Sequence, residues 1–354
     1  MTPMLRQETT PRLAYALLAA VGAAAAFLVI QGNPGNMGLC GACFLRDTSG
    51  ALGLFAKGPR IFRPEILGVI LGALIWRMAR GQWTGRSGSY AVSRFVLGVW
   101  MAIGALVFLG CPFRMLQRLG GGDLNAVVGA AGLIIGVGIA SAFERRGYNV
   151  GKTAPVPMAV GLAGPVTIAV VAALWGMGKL VGPGPDSAGP PPHAPWALSL
   201  AVAGVAGAIL CATGFCAISA CRQVWRGPKR SMLLATGCLV LAYGVILGVS
   251  GKFNFGFDGQ PAAHADHLWN ALAMVLVGLT GAFAGGCPVR QIVMTGEGNG
   301  DAFVTVAGLG VGGALAHTLG LASSGAGTTE AGRYAVLVGI VLVLIYAAAI
   351  QRSK

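Results

Sequence analysis

Charged side chains are scarce in this sequence: they make up 10% of its 354 residues, and only 11 residues are acidic. A soluble domain carries roughly 25% charged residues. With a mean hydropathy of +0.73, the chain is therefore read as an all-α integral membrane protein. Other absences narrow the function. No P-loop is present, so nucleotide-driven chemistry has no motif to rest on. No basic and aromatic arrangement suggests nucleic acid. Cys40 and Cys43 form a C-x-x-C, but no second pair stands at a finger-like distance and all four histidines lie elsewhere, which argues against structural zinc. The eight cysteines sit in or beside apolar segments, unlike a secreted disulfide framework. The reading calls for no cofactor and no metal.

What the chain has is apolar residues, at 55%, and glycine, at 58 positions. Glycine weakens helices in water, but in lipid it lets helix backbones approach closely. Apolar stretches of about 18 to 20 residues predict ten spans. They are 13–31, 63–79, 92–110, 124–142 and 157–180, then 196–213, 232–250, 268–285, 302–320 and 333–350. The first follows Arg6 and Arg12 as a signal peptide would, but Leu13 to Ile30 is long enough to span. The Pro- and Gly-rich stretch 182–195 predicts a linker between a first unit, 1–181, and a second, 196–354.

Cysteine occurs in two glycine-flanked motifs, each present twice. Gly38-Leu39-Cys40-Gly41-Ala42-Cys43-Phe44-Leu45-Arg46 is echoed by Gly214-Phe215-Cys216-Ala217-Ile218-Ser219-Ala220-Cys221-Arg222. Gly110-Cys111-Pro112-Phe113-Arg114 is echoed by Gly286-Cys287-Pro288-Val289-Arg290. Both copies stand 176 residues after the originals, about half the chain, and Gly120/Gly296 and Gly122/Gly298 share the offset. That register implies a tandem duplication. Five spans per unit is an odd number, so the second unit enters the membrane upside down. The expected architecture is an inverted tandem repeat of about five transmembrane helices each, with re-entrant or broken helices meeting at the midplane.

Loop charges give the orientation. With both termini cytoplasmic, the inner loops carry Arg77/Arg80/Arg86/Arg94, Arg145/Arg146/Lys152, Arg222/Arg226/Lys229/Arg230 and Arg352/Lys354. The outer loops carry Asp186, Asp258, Asp266 and Glu330, as the positive-inside rule expects. Two outer segments break the rule: 46–63, with Arg46, Lys57, Arg60 and Arg63, and 111–123, with Arg114 and Arg118.

The motifs themselves suggest the site. Residues 36–56 are too apolar for a loop, yet Arg46 and Asp47 make a lipid-facing span costly, so a buried re-entrant helix is expected. Proline suits the first turn of a helix, so Pro112 and Pro288 start short helices with Cys111 and Cys287 at the caps. Such an end favours an anion. Cys40, Cys111, Cys216 and Cys287 are read as lining a path. Cys43 and Cys221 are intermediate, and Cys211 and Cys238 are packing residues. Arg46, Arg222, Arg114 and Arg290 recur beside the cysteines, as anion-guiding cations or as interface anchors. The net charge of +14 also fits attraction of an anionic solute. Glu65 and Glu144 are expected to pair locally with Arg63 and Arg145. His264, Asp266 and His267 make a weak metal reading, and 296–301 a flexible connector.

Together these motifs resemble the YeeE/YedE sulfur-transport family of bacterial inner-membrane proteins, over nearly the whole chain. The resemblance implies a multi-pass protein of the inner membrane, an hourglass-shaped channel and thiosulfate uptake. Cysteine thiols at its constriction hydrogen-bond the passing anion, a relay that would use Cys40, Cys111 and Cys287, with Cys216 a weaker candidate. Cys43, the run Asn33-Pro34-Gly35-Asn36 and the full span count look closer to the YedE branch, associated with selenium metabolism. The expected partners are thus a small sulfur or selenium anion and the bilayer, with a small thiol carrier or sulfurtransferase on the cytoplasmic side. Donation requires Cys111 and Cys287 to be thiols at neutral pH. The competing reading is a membrane thiol–disulfide or persulfide-transfer enzyme working through Cys40 and Cys43.

Overall fold

The computed structural model describes residues 9–183, 192–225 and 230–352. Arg6, Asp186, Arg226, Lys229, Lys354 and the centre of the expected linker lie outside them.

Every predicted span is a helix, and the gaps between spans hold four shorter ones. The first half runs α1 (Pro11–Ile30), α2 (Gly41–Ala51), α3 (Pro64–Ala79), α4 (Ala91–Phe108), α5 (Pro112–Gly120), α6 (Asn125–Arg145) and α7 (Met158–Gly176). The second runs α8 (Trp196–Thr213), α9 (Ala217–Trp225), α10 (Ser231–Val249), α11 (His267–Phe283), α12 (Pro288–Gly296), α13 (Gly300–Thr318) and α14 (Glu330–Arg352). Two-residue strands, β1 (Arg86–Ser87) and β2 (Ala154–Pro155), pair antiparallel and tie two loops together.

Among the described residues, eight helical stretches are long and apolar enough to cross a membrane, against the ten expected. Three of them, Ala91–Gly120, Trp196–Trp225 and His267–Gly296, run through a cysteine break. α3 has only 16 residues, short of the roughly 20 that span the hydrocarbon core. α13 is glycine-rich and carries Asp301 in its first turn and His317 in its last, which lowers its apolarity. The periphery carries large apolar side chains such as Leu241, Val245 and Val249 on α10 and Val341 and Ile345 on α14, all exposed. Arg63, Arg118, Asp47 and Glu65 are fully buried. Apolar outside and charged inside is the distribution lipid imposes.

Four long crossings build the body, and they are reciprocal. α1 packs on α10 while α8 packs on α3; α6 packs on α11 while α13 packs on α4. Each crossing is made possible by glycine. A Cβ at Gly72 would stand 1.9 Å from the carbonyl oxygen of Gly204, and one at Gly132 would stand 2.1 Å from that of Ala271. No side chain fits there, so backbone meets backbone.

The segment expected to be buried is the helix α2, every residue of which from Gly41 to Gly50 is buried. Its Arg46 and Asp47 pair at 2.6 Å, and Asp47 also takes the Arg63 guanidinium at 2.7 Å. Arg118 pairs with Asp123 at 2.6 Å and lies over the Phe108 ring. The two outer segments that broke the charge rule are thereby explained. Arg46, Arg63, Arg114 and Arg118 are buried and bonded internally, and only Lys57 and Arg60 of that set are exposed.

Candidate functional site

Four helices begin on the matched cysteines. The carbonyl of Cys40 accepts from Phe44 N at 3.3 Å, that of Cys111 from Met115 N at 2.9 Å, that of Cys216 from Ala220 N at 3.0 Å, and that of Cys287 from Gln291 N at 3.0 Å. Each cysteine thus closes the first turn of the helix that follows it, and Pro112 and Pro288 occupy the first helical positions as expected. The preceding helices stop because the chain turns into the left-handed region. Leu109 ends α4 at φ 64°, Gly214 ends α8 at φ 61°, and Gly285 follows α11 at φ 83°.

The thiols meet in pairs. Cys40 Sγ lies 3.6 Å from Cys111 Sγ, and Cys216 Sγ accepts from the backbone N–H of Cys287 at 3.5 Å; both pairs are separated by 71 residues. All four cysteines are buried. The two pairs abut, because a Cβ at Gly41 would stand 2.8 Å from Val289 N at the start of α12. Phe113 of α5 also meets Phe215 edge to face at 5.7 Å. The N-terminal ends of α2, α5, α9 and α12 therefore gather at the centre of the molecule, each with the partial positive charge of a helix start.

Space at this centre is small. Cys40 borders a cavity of about 10 Å³ shared with Leu39, Glu65, Leu210, Val289 and Ile292. That is room for one water at most.

Polar side chains hold the pairs in place. Gln117 Oε1 accepts from Gly38 N at 2.8 Å and Leu39 N at 3.2 Å, fixing the first motif onto α5. Arg114 donates to Asn36 O at 3.1 Å and to Cys43 Sγ at 3.7 Å, and among the described residues no carboxylate pairs with it. The other matched arginines are neutralised. Arg46 sits on Asp47 and donates toward His317 Nε2 at 3.3 Å, Arg222 binds Glu144, and Arg290 meets Glu297 at 2.9 Å.

Three expectations are corrected here. Residues 296–301 are not a flexible connector: Glu297 is buried and takes Arg290, Arg86 at 2.8 Å and Arg77 at 3.9 Å. Asp301 accepts from Ser87 Oγ at 2.8 Å and from the N–H groups of Gly88 and Ser89. Glu65 does not serve Arg63, which goes to Asp47; it accepts from Asn33 at 2.9 Å and faces His193 at 3.4 Å. Glu144 is bonded by Arg222, so a local role gives way to a link between the two halves. The metal reading also finds no support. His264 Nε2 faces Val107 O at 2.8 Å, Asp266 is taken by Thr328 and Arg333, and no metal-holding group of side chains occurs among the described residues.

Sequence reasoning missed Gln117, Asn33, His193 and Glu297. Their partners lie far along the chain, 211 residues for Arg86 and Glu297, and no spacing rule reaches that distance. Cys211, read as packing, is buried.

Comparison with protein-family models and with curated proteins gives no match for this chain.

Proposed function

We propose that this chain is a conduit for a small sulfur-containing anion, thiosulfate first, which crosses the membrane between paired cysteine thiols. The observation that carries the reading is the two thiol pairs, Cys40 with Cys111 and Cys216 with Cys287, each at helix starts and each 71 residues apart. A packing role gives no reason for thiols to recur in register and meet at a glycine-lined centre.

The physical logic follows from the ligand. Thiosulfate is a dianion with a soft terminal sulfur. A thiol donates a weak S–H hydrogen bond to it, and weak binding is what conduction needs. Four helix starts supply fixed positive dipoles that a lone thiol lacks. Arg114, with no carboxylate partner among the described residues, adds a full charge beside the first pair. On the side of the second pair, the guanidinium groups of Arg86 and Arg290 share the one carboxylate of Glu297. That leaves a local positive excess, suited to drawing an anion onward.

Two units related by an inverted two-fold axis in the membrane plane are part of the same reading. In its support, α1, α8, α3 and α10 exchange partners as such an axis requires, and so do α4, α11, α6 and α13. The first pair would then be reached from one side of the membrane and the second from the other. The tight cavity at Cys40 makes this a closed state, in which the thiols also form the barrier.

The substrate is tested by a screen in bacterial cells lacking their own uptake systems, supplied with thiosulfate, selenite, selenate or sulfide. Growth on thiosulfate alone as sulfur source is the expected result, and selenium accumulation without it would move the assignment to a selenium anion. The thiol-exchange reading draws on the contact between Cys40 and Cys111 sulfurs. It requires a disulfide or persulfide at Cys40 during turnover, detectable by mass spectrometry of trapped thiols.

A further inference from the structure

One buried ionisable pair plays no part in the thiol path as described. Glu65, at the start of α3, is fully buried, and its Oε1 accepts from Asn33 Nδ2 at 2.9 Å. The same Asn33 amide donates to Gly38 O of the first cysteine motif at 3.1 Å, and its Oδ1 accepts from Ala194 N at 3.0 Å. The other carboxylate oxygen, Oε2, faces His193 Nε2 at 3.4 Å, and among the described residues neither atom has a further hydrogen-bond partner.

The protonation of this pair follows from its neighbours. His193 Nδ1 faces the carbonyl of Ala194, which can only accept, so this contact favours the tautomer with a proton on Nδ1. The facing atoms, Nε2 and Oε2, then hold none, one or two more. With none the pair carries one negative charge, with one it is neutral, and with two it carries one positive charge. Glu65 lines the same small cavity as Cys40, so that charge is felt where an anion would sit.

The other charged groups facing the pair are few. Arg63 is bound to Asp47, which also holds Arg46. The α8 and α12 side of the cavity presents only Leu210, Val289 and Ile292.

We propose that Glu65 and His193 form a proton-binding site coupled to the anion at Cys40, so that the anion enters together with a proton. The inference rests on the anion-conduit reading and adds what drives it. A dianion beside Cys40 is repelled by a bare Glu65 carboxylate and tolerated once a proton is added. By linkage, the bound anion raises the proton affinity of the pair as much as the proton raises the anion's. Asn33 connects the two mechanically, since it grips Glu65 and the Gly38 carbonyl with one amide.

The test uses the full chain in liposomes with a pH-sensitive dye trapped inside and labelled thiosulfate outside. The lumen is expected to acidify as label enters, and uptake should rise about tenfold as the external pH falls from about 8 to about 6. Glu65→Gln keeps an oxygen for Asn33 but cannot gain the proton. It should let thiosulfate in without acidification and with a flat pH profile, and His193→Gln should do the same. Wild-type uptake without acidification would overturn the coupling and leave the conduit standing. So would variants that keep the wild-type pH profile. No thiosulfate uptake by the wild type would overturn both. Should Glu65→Gln fail to fold, as judged by elution and melting, wild-type acidification and His193→Gln decide.

Discussion

At the scale of single residues, a cysteine that starts a helix serves two ends. Its carbonyl closes the first turn, and its thiol is left at the dipole's positive end. Replacing Cys111 or Cys287 by alanine keeps the backbone bond and removes the S–H donor. Each change should lower thiosulfate uptake about tenfold, the worth of one hydrogen bond to a charged group. The check is initial-rate uptake with the protein's melting point unchanged. Elsewhere the buried ion pairs are structural: Arg118 and Asp123 are fully buried against each other. Asp123→Ala leaves that guanidinium unpaired in a dry interior and should cost about 3 kcal/mol or more in stability, read from unfolding in detergent.

The sequence made these two kinds of residue unequally visible. Cys111 and Cys287 could be found because duplication wrote the same signal twice. Arg118 and Asp123 carried no such mark, and Arg118 instead looked like a loop cation on the wrong side. Their burial depends on α5 being a short helix inside the protein. Glu65, His193 and Glu297 were still less legible, because what gives each a role is a partner brought up by the fold.

At the scale of elements, the breaks are what position the site. Leu109 adopts φ 64° where its counterpart Gly285 adopts φ 83°, so one break is written in glycine and the other is not. Glycine announced the second break in the sequence. The first was betrayed by Gly110 and Pro112 beside it and not by the residue that turns, since a leucine in the left-handed region contradicts its own preference.

The helix crossings make a second test. Gly72→Leu puts a side chain where a carbonyl oxygen of α8 already stands. The α3–α8 crossing must then open, and the expected result is a melting point lowered by several degrees, or no folded protein, whereas Gly237→Leu, on α10 with open space around it, should cost far less. At the loop before α11, hydrogen bonds from Thr328 hold the Asp266 carboxyl below its usual range. A depressed pKa contributes stability above the unfolded value of about 4, and that stability is lost as pH falls through the folded value. Thermal stability should therefore drop as pH falls below about 4 in the wild type, and Asp266→Asn should remove that part of the drop.

At the scale of the whole molecule, the reciprocal packing of α1 on α10 and α8 on α3 means neither half builds its own core. The offset of 176 residues announced the two units. It could not announce that they interlock, because a repeat in sequence does not say whether copies pack side by side or through one another. The orientation proposed for them is open to direct labelling. Arg146 and Asp258 are both exposed, at loops assigned to opposite sides. In intact cells an impermeant thiol reagent should modify Asp258→Cys and reach Arg146→Cys only after permeabilisation.

The account stands on the paired thiols carrying an anion, and purified protein in liposomes tests that most directly. Labelled thiosulfate should accumulate with the wild-type chain and enter far more slowly with Cys111→Ala and Cys287→Ala combined, the double variant remaining folded. Equal uptake by the wild type and the folded double variant would contradict the account.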